Sequence, residues 1–130
     1  MAREIIVLDT SALIYWTLDP TRVTAKAARS IETADSIQIS SISIWEIGIK
    51  IKRRKLFIPI QLRTYVEKLK LVDRLEIISV DDEIWLRNLE LAWNHKDPAD
   101  RTIVALASIR DCTLITSDKT IRRFYKQTVW

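Results

Sequence analysis

The feature that most constrains this chain is a short apolar run near its amino terminus, Ile5-Ile6-Val7-Leu8, which ends at Asp9. Consecutive aliphatic residues without polar alternation are typical of a strand that is buried on both faces, as in a parallel sheet. Further short apolar runs follow at residues 36–40, 75–80 and 113–116. These runs predict four strands at the centre of the fold.

Helical patterns separate the predicted strands. We expect helices near residues 12–16, 24–34, 43–55, 61–71, 83–93, 98–110 and 119–125, and a short edge strand near residues 128–130. Strands that alternate with helices are typical of a parallel sheet between two helical layers. The length of 130 residues fits one domain. We therefore predict a single domain over residues 1–130, with a three-layer α/β/α fold and a mainly parallel sheet of four to five strands.

Scarce residue types exclude several classes of site. The single glycine excludes the Gly-rich loops that cradle phosphates or dinucleotides. One cysteine and one histidine cannot complete a tetrahedral zinc site, and no flanking glycines form the nucleophile elbow of a serine hydrolase. If the protein is an enzyme, carboxylates carry most of its chemistry, and Mg²⁺ or Mn²⁺ are the metals that such oxygen ligands suit.

Composition also bears on location and partners. No apolar run approaches the roughly 18 residues that a membrane span requires, and residues 1–4 lack the pattern of a signal peptide. Cys112 lies in an apolar run and is expected to be a small buried hydrophobe. We therefore expect no membrane association and a cytoplasmic location. The net charge of +4 is compatible with a nucleic-acid partner but does not require one.

The segment His95-Lys96-Asp97-Pro98-Ala99-Asp100-Arg101 carries the start signals of a helix. Asp97 suits the N-cap and Pro98 the first helical position, while Asp100 sits three residues after the cap. Two acids on one turn, beside the only histidine, form either an ordinary cap or one wall of a metal site. The segment alone does not decide between these alternatives.

Other acids occupy comparable positions, directly after predicted strands or at the helices that follow them. They are Asp9, Glu46 and Asp118. In a parallel α/β sheet such positions share the edge at the carboxyl ends of the strands, where ligands bind. Each acid could instead serve only its own helix terminus, and Glu46 could pair with Lys50. If any two of these carboxylates lie about 5 Å apart, the pair repels by roughly 3 kcal/mol at an effective dielectric near 20. A Mg²⁺ site would relieve that repulsion, polarise a phosphate oxygen and activate water without a protein nucleophile.

In this pattern the chain resembles the PIN-domain ribonucleases, and in particular the VapC-type toxins of toxin–antitoxin systems. The residues that carry the resemblance are Ile6-Val7-Leu8-Asp9-Thr10-Ser11-Ala12-Leu13, Ser41-Ile42-Ser43-Ile44-Trp45-Glu46-Ile47, the segment 95–107, and Leu114-Ile115-Thr116-Ser117-Asp118. These motifs follow one another in the family's order and span nearly the whole chain. Each motif alone is moderately specific for the family, and the four motifs together make the resemblance strong.

The resemblance implies a function and a set of site residues. The family's catalytic and metal-binding acids map onto Asp9, Glu46, Asp100 and Asp118, with Asp97 as a frequent accompanying acid. It implies Mg²⁺- or Mn²⁺-dependent endonucleolytic cleavage of RNA, a homodimer, and neutralisation by a small VapB-type antitoxin. Two departures are visible, because Ser11 stands where many close relatives have His and Ala99 where many have Phe. Both flank the acids, so they bear on substrate preference more than on activity.

Five further residues are candidates for substrate contact: Thr10, Ser11, His95, Arg101 and Thr116. Thr116 matches a frequent site hydroxyl of the family. His95 could contact substrate, help in proton transfer, or be structural. Arg101 could reach a phosphate or pair with a nearby acid.

Basic and aromatic residues leave further alternatives open. Two groups of cations could hold an RNA backbone or simply be solvated: Lys50, Lys52, Arg53, Arg54 and Lys55, and Lys119, Arg122, Arg123 and Lys126. The tryptophans could stack on bases, but we expect core or interface packing, especially for Trp45.

Two other functions remain possible from the sequence. The first is a PIN-domain nuclease of housekeeping RNA processing. The second is a non-catalytic phospho-receiver-like domain, which also gathers acids at a sheet edge. That domain would need an acid pair after the first strand, whereas Asp9 is followed by Thr10.

Overall fold

Five parallel strands form the central sheet of the computed structural model, which describes residues 3–130. They are β1 (Ile5–Leu8), β2 (Ser36–Ser40), β3 (Leu75–Ile78), β4 (Thr113–Ile115) and β5 (Thr128–Val129). Their order across the sheet is β3-β2-β1-β4-β5, and every neighbouring pair is parallel. The prediction of a mainly parallel sheet is confirmed, and the short edge strand is its fifth member.

Seven α-helices connect or follow the strands in the part of the chain that the structure describes. They are α1 (Thr10–Leu18), α2 (Ala25–Thr33), α3 (Ser41–Lys52), α4 (Leu62–Leu69), α5 (Asp82–Glu90), α6 (Pro98–Arg110) and α7 (Lys119–Phe124). None of them is long and apolar enough to cross a membrane, among residues 3–130. The predicted helices are all present, but several boundaries differ by two or three residues, and two of these differences concern elements beside the site.

The first boundary error concerns α3, which we expected to begin at Ser43. The helix instead begins at Ser41, because the hydroxyl of Ser40 at the end of β2 accepts from the Ile42 N–H at 3.2 Å. The second concerns α5, which ends at Glu90 rather than near Trp93. Residues 91–97 are therefore an irregular loop that leads into α6.

Two hydrophobic cores lie on opposite faces of the sheet. The side chains of β1 alternate between them, since Ile6 and Leu8 belong to one core and Val7 to the other. The first core contains residues of α1, α2 and α4, and the second contains residues of α5, α6 and α7. This division produces the predicted three-layer α/β/α arrangement.

The topology places the central strand β1 at a switch point. The chain continues from β1 to β2 on one side, while β4 pairs with β1 on the other side. In open α/β sheets, ligands bind outside the carboxyl ends of the strands at such a point. Because α6 runs back toward the start of β4, its amino terminus lies at this same edge. The edge at the carboxyl ends of β1, β2 and β4 is called the acidic rim below.

Candidate active site

Asp9 lies at the centre of the acidic rim and is 4% exposed. It is the N-cap of α1, where Oδ1 accepts from the Ala12 N–H at 2.8 Å. Its other oxygen accepts a hydrogen bond from the Thr116 hydroxyl, across the β1–β4 pair. The carboxylate is therefore held at both oxygens, as expected of a residue that directly ends a buried strand.

Thr116 also links Asp9 to Asp118. Its hydroxyl oxygen accepts from the Asp118 N–H at 3.0 Å. Asp118 is the N-cap of α7 and accepts from the backbone N–H groups of Thr120 and Ile121 at 2.8 and 3.1 Å, both through Oδ1. The structure thus brings together three of the predicted site residues at the ends of β1 and β4.

The turn that begins α6 carries both a cap and a second acid. Asp97 is the N-cap, and its Oδ1 accepts from the Asp100 N–H at 2.9 Å. The Asp100 side chain is 19% exposed, and its Oδ2 lies 2.8 Å from His95 Nε2. The two alternatives left open by the sequence are thus compatible, because Asp97 caps the helix while Asp100 has its own partner.

Glu46 lies in the second turn of α3 rather than at its start. Its side chain is 16% exposed and forms the expected pair with Lys50, at 3.7 Å. On the same side of α3, the hydroxyls of Ser43 and Thr10 lie 2.9 Å apart and are buried. Thr10 therefore ties α1 to α3, and Ser11 beside it is half-buried. The sequence identified Ser43 only as an expected start of α3, and its contact with Thr10 could not be predicted without knowing how α1 and α3 pack.

The electrostatics show that the acids of the rim act on one another. Burial raises the pKa of Asp9 to about 6, against the lowering effect of its hydrogen bonds, and the charges of Asp100 and Asp118 raise it further. Burial likewise raises the pKa of Asp100 to about 6; the His95 hydrogen bond lowers it. The charges of Asp97, Asp118 and Glu46 add to the rise at Asp100. Carboxylates contributed by separate elements of the chain therefore share one electrostatic site.

The donor set of the rim fits a hard divalent cation. Carboxylate and hydroxyl oxygens are the ligands that Mg²⁺ and Mn²⁺ take in proteins. Among residues 3–130, no three acidic, histidine or cysteine side chains are gathered closely enough to enclose an ion as they stand. The carboxylates instead repel one another across the rim, and a cation between them would offset that repulsion.

His95 is held by an aromatic stack. Its ring centroid lies 4.8 Å from that of Trp93, which in turn stacks on Phe124 at 4.6 Å with the planes 4° apart. The His95 ring that contacts Asp100 therefore packs against Trp93 of the loop before α6, and Trp93 in turn packs against Phe124 of α7. This arrangement favours a positioning role for His95 among the alternatives that the sequence left open.

Arg101 has a different role from the two that we expected. It forms no ion pair with an acid of the described residues, and its guanidinium instead donates to the backbone carbonyls of Asn88, Leu91, Trp93 and His95. These bonds fasten the irregular loop 91–97 to α6. Sequence reasoning placed this loop partly in a helix and therefore could not find the carbonyls that Arg101 binds.

Tryptophan packing also differs from expectation. Trp45 is 56% exposed and Trp85 is 46% exposed, so neither belongs to the core of the chain. Both line a concavity that also includes Ile42, Val80 and Pro98. Trp45 was expected to pack in the core or at an interface, and the core alternative is wrong.

Comparison with known proteins decides the family. The sequence model of the PIN domain matches residues 6–127. The chain belongs to the PIN-domain family. A curated relative, Ribonuclease VapC22 from Mycobacterium tuberculosis, is 24% identical over 118 residues, which cover 90% of this chain and 89% of the relative.

Solved structures show the same PIN-domain fold. A toxin–antitoxin complex from Klebsiella pneumoniae contains a chain with a TM-score of 0.66 and 20% identity, and the match covers 96% of each chain. VapBC2 from Rickettsia felis, bound to a DNA fragment from its promoter, has a TM-score of 0.66 and 20% identity over 97% of each chain. Membership of the PIN family is incompatible with the phospho-receiver alternative, which is dropped.

Proposed function

We propose that this PIN domain is a metal-dependent endoribonuclease that hydrolyses RNA phosphodiester bonds and acts as the toxin of a VapBC-type toxin–antitoxin pair. The observation that carries the proposal is the placement of Asp9, Asp100 and Asp118 at the switch point of the sheet, where the charges of Asp100 and Asp118 both raise the pKa of Asp9. The similarity to Ribonuclease VapC22 supports the choice of RNA as substrate. The proposal assigns the activity to one domain over residues 1–130.

Four acids would hold Mg²⁺ or Mn²⁺ in this proposal: Asp9, Glu46, Asp100 and Asp118, with Asp97 beside them. The bound cation would polarise a phosphate oxygen and lower the pKa of water. Thr116 fixes Asp9 through its hydroxyl, and His95 fixes Asp100 through Nε2. Burial raises the pKa values of Asp9 and Asp100 only to about 6 in the metal-free protein, so both are ionised at neutral pH and available to a cation.

Thr10 and Ser11 border Asp9 at the start of α1, and of these two predicted contact residues Ser11 is proposed to touch the substrate. Thr10 is itself buried and bonded to Ser43, so it acts by fixing the wall of the site. Ser11 is half-buried beside it. Because Ser11 replaces a residue that is often His in relatives, we expect it to affect which RNA is cut more than whether RNA is cut.

Two protein partners are part of the proposal. Neighbouring structures include toxin–antitoxin complexes, which supports a small VapB-type antitoxin as one partner. The other is a second copy of the chain, which we propose binds through the outer face of α5. The outer face of α5 exposes Trp85, Leu86 and Leu89, which are 46%, 52% and 77% exposed. An apolar helix face of this kind favours a protein interface over contact with solvent. The proposal places the protein in the cytoplasm, where RNA is available.

A cleavage assay with one matched control tests the nuclease. Purified protein should cut single-stranded RNA with Mg²⁺ or Mn²⁺, lose activity in excess chelator, and regain it when the metal is restored. Asp9→Asn should be inactive while folded. Asp81→Asn is the control, since Asp81 also caps a helix and accepts from the Ile84 N–H at 3.0 Å, but lies at edge strand β3. Equal cleavage by wild type and Asp9→Asn would overturn the proposal.

Expression without a partner separates a toxin from a housekeeping nuclease. The toxin hypothesis predicts growth arrest that is lost in the Asp9→Asn variant. It also predicts that co-expression of a small protein encoded beside this gene relieves the arrest. Normal growth during expression of the active nuclease favours RNA processing instead.

A further inference from the structure

A compact basic surface follows the acidic rim directly along the chain. It consists of Lys119, Arg122, Arg123 and Lys126, which line a shallow concavity of about 440 Å³ together with Thr128. All four side chains belong to exposed residues. The α7 basic surface, as these four residues are called below, begins one residue after Asp118.

The four cations of the α7 basic surface are unpaired. None lies within ion-pair distance of an acid in the range 3–130 that the structure describes. Like charges gathered within a few residues repel one another, and counter-charge from a ligand relieves the repulsion. Their gathering on one concave face thus favours a polyanionic ligand.

The other basic group of the chain differs mainly in its surroundings, since four of its five cations are likewise outside ion-pair distance of an acid among residues 3–130. Lys50 pairs with Glu46 at 3.7 Å. Lys52, Arg54 and Lys55 border a concavity whose other lining residues are mainly apolar, including Leu56 and Phe57. That surface combines hydrocarbon with charge, which suits a protein partner better than a phosphate backbone.

The α7 basic surface lies close to the acidic rim. The six residues of α7 span about 9 Å, which is close to the Debye length of about 8 Å at physiological ionic strength. A negatively charged chain that enters the acidic rim is repelled by its carboxylates. The cations of the α7 basic surface extend from Lys119, next to Asp118, to Lys126, just past the end of α7, and they offset this repulsion on the same segment of chain.

We propose that the α7 basic surface holds the phosphodiester backbone of the RNA substrate on the Asp118 side of the acidic rim. This inference rests on the proposed function, since it assumes that RNA is cleaved at the rim. It assigns backbone contact to α7 rather than to the basic end of α3. Contact with phosphate carries no sequence preference, so the surface contributes affinity rather than specificity.

A binding assay without cleavage tests the assignment. Wild type and Arg122→Gln/Arg123→Gln are titrated with a fluorescein-labelled single-stranded RNA of mixed sequence, in chelator, over a range of KCl concentrations. Glutamine keeps the length and polarity of the side chains. Lys52→Gln/Arg53→Gln is the matched control, because it removes the same charge from exposed positions at another helix carboxyl terminus.

Affinity falls as salt rises, and two lost phosphate contacts should make this negative slope of log affinity against log salt less steep by about 1.4, at about 0.7 per contact for single strands. The corresponding loss of affinity at physiological salt is about tenfold. The control should change the slope by less than half as much. An equal effect of both pairs, or no effect of the α7 pair, overturns the assignment.

Cleavage by the wild type separates this inference from the proposed function. If the wild type cuts RNA and the α7 pair binds RNA normally, the α7 assignment fails and the nuclease stands. If the wild type binds RNA through α7 but never cuts it with either metal, the nuclease fails and the binding surface stands.

Discussion

Replacement of Asp9 by Asn should stabilise the metal-free protein while it abolishes activity. At pH 7.5 the folded protein holds an ionised carboxylate that is 4% exposed. Its pKa is raised from 3.8 to about 6, mainly by burial. The shift of about 2 units corresponds to about 3 kcal/mol of lost stability at that pH.

Asn removes the ionisable group but keeps the cap, since its oxygen can still accept from the Ala12 N–H. The Thr116 hydroxyl loses its acceptor, because the amide nitrogen of Asn takes the place of the second carboxylate oxygen. This loss costs about 1 kcal/mol. The net gain is about 2 kcal/mol, or an increase in Tm of about 4 to 8 °C.

The pH dependence follows from the direction of the shift. Because the pKa of Asp9 is raised in the folded state, the wild type is favoured at low pH and loses stability as the pH rises from about 4 through about 6. The advantage of the Asn variant should therefore fall to about zero near pH 4.5, where the cost of the lost hydrogen bond balances the remaining carboxylate penalty.

Thermal or urea unfolding in chelator at pH 7.5 and pH 4.5 measures both effects. Asp81→Asn, at an exposed helix cap, is the control and should change stability little at either pH. Excess Mg²⁺ should stabilise the wild type and not the Asp9 variant, because only the wild type retains the full ligand set. An Asp9 variant that is less stable than wild type at pH 7.5, or a difference independent of pH, would refute the reasoning.

Three further predictions concern the partner of Asp100, the loop before α6 and the outer face of α5. His95→Ala should reduce the cleavage rate by about 10- to 100-fold with little change in Tm, because Asp100 loses its orienting partner; His95→Gln, whose amide can donate to Asp100, should recover part of the rate. Arg101→Ala should lower the free energy of unfolding by about 3 kcal/mol in urea titration, since several loop carbonyls lose a charged donor. Leu86→Glu/Leu89→Glu should convert a dimer to a monomer by light scattering without loss of the fold, because both side chains are exposed.

The strands and their parallel arrangement could be predicted because their pattern is local. Ile6, Val7 and Leu8 are all 0% exposed, as a strand covered on both faces requires. The order of strands depends on which helices cross which face, and the sequence does not encode this locally. The start of α3 was misplaced because two serines compete to cap it, and only the end of β2 selects Ser40.

The acids of the site could be proposed because a parallel sheet brings the carboxyl ends of its strands to one edge. Their assignment as metal ligands remains a prediction. The role of Arg101 could not be predicted, since it depends on carbonyls in a loop without periodicity. The exposure of Trp45 was missed because α3 is apolar on several sides, which conceals the face that lacks a neighbour.

The most direct test of the central claim is the single-turnover rate of RNA cleavage by Asp100→Asn and Asp81→Asn, measured side by side with Mn²⁺. The account predicts that the cleavage rate of the Asp100 variant falls by more than 100-fold. That loss exceeds the roughly 10- to 100-fold effect of removing a residue that only orients a metal ligand. It predicts a rate close to wild type for the Asp81 variant. Similar rates for the two variants would contradict the assignment of the acidic rim as the nuclease site.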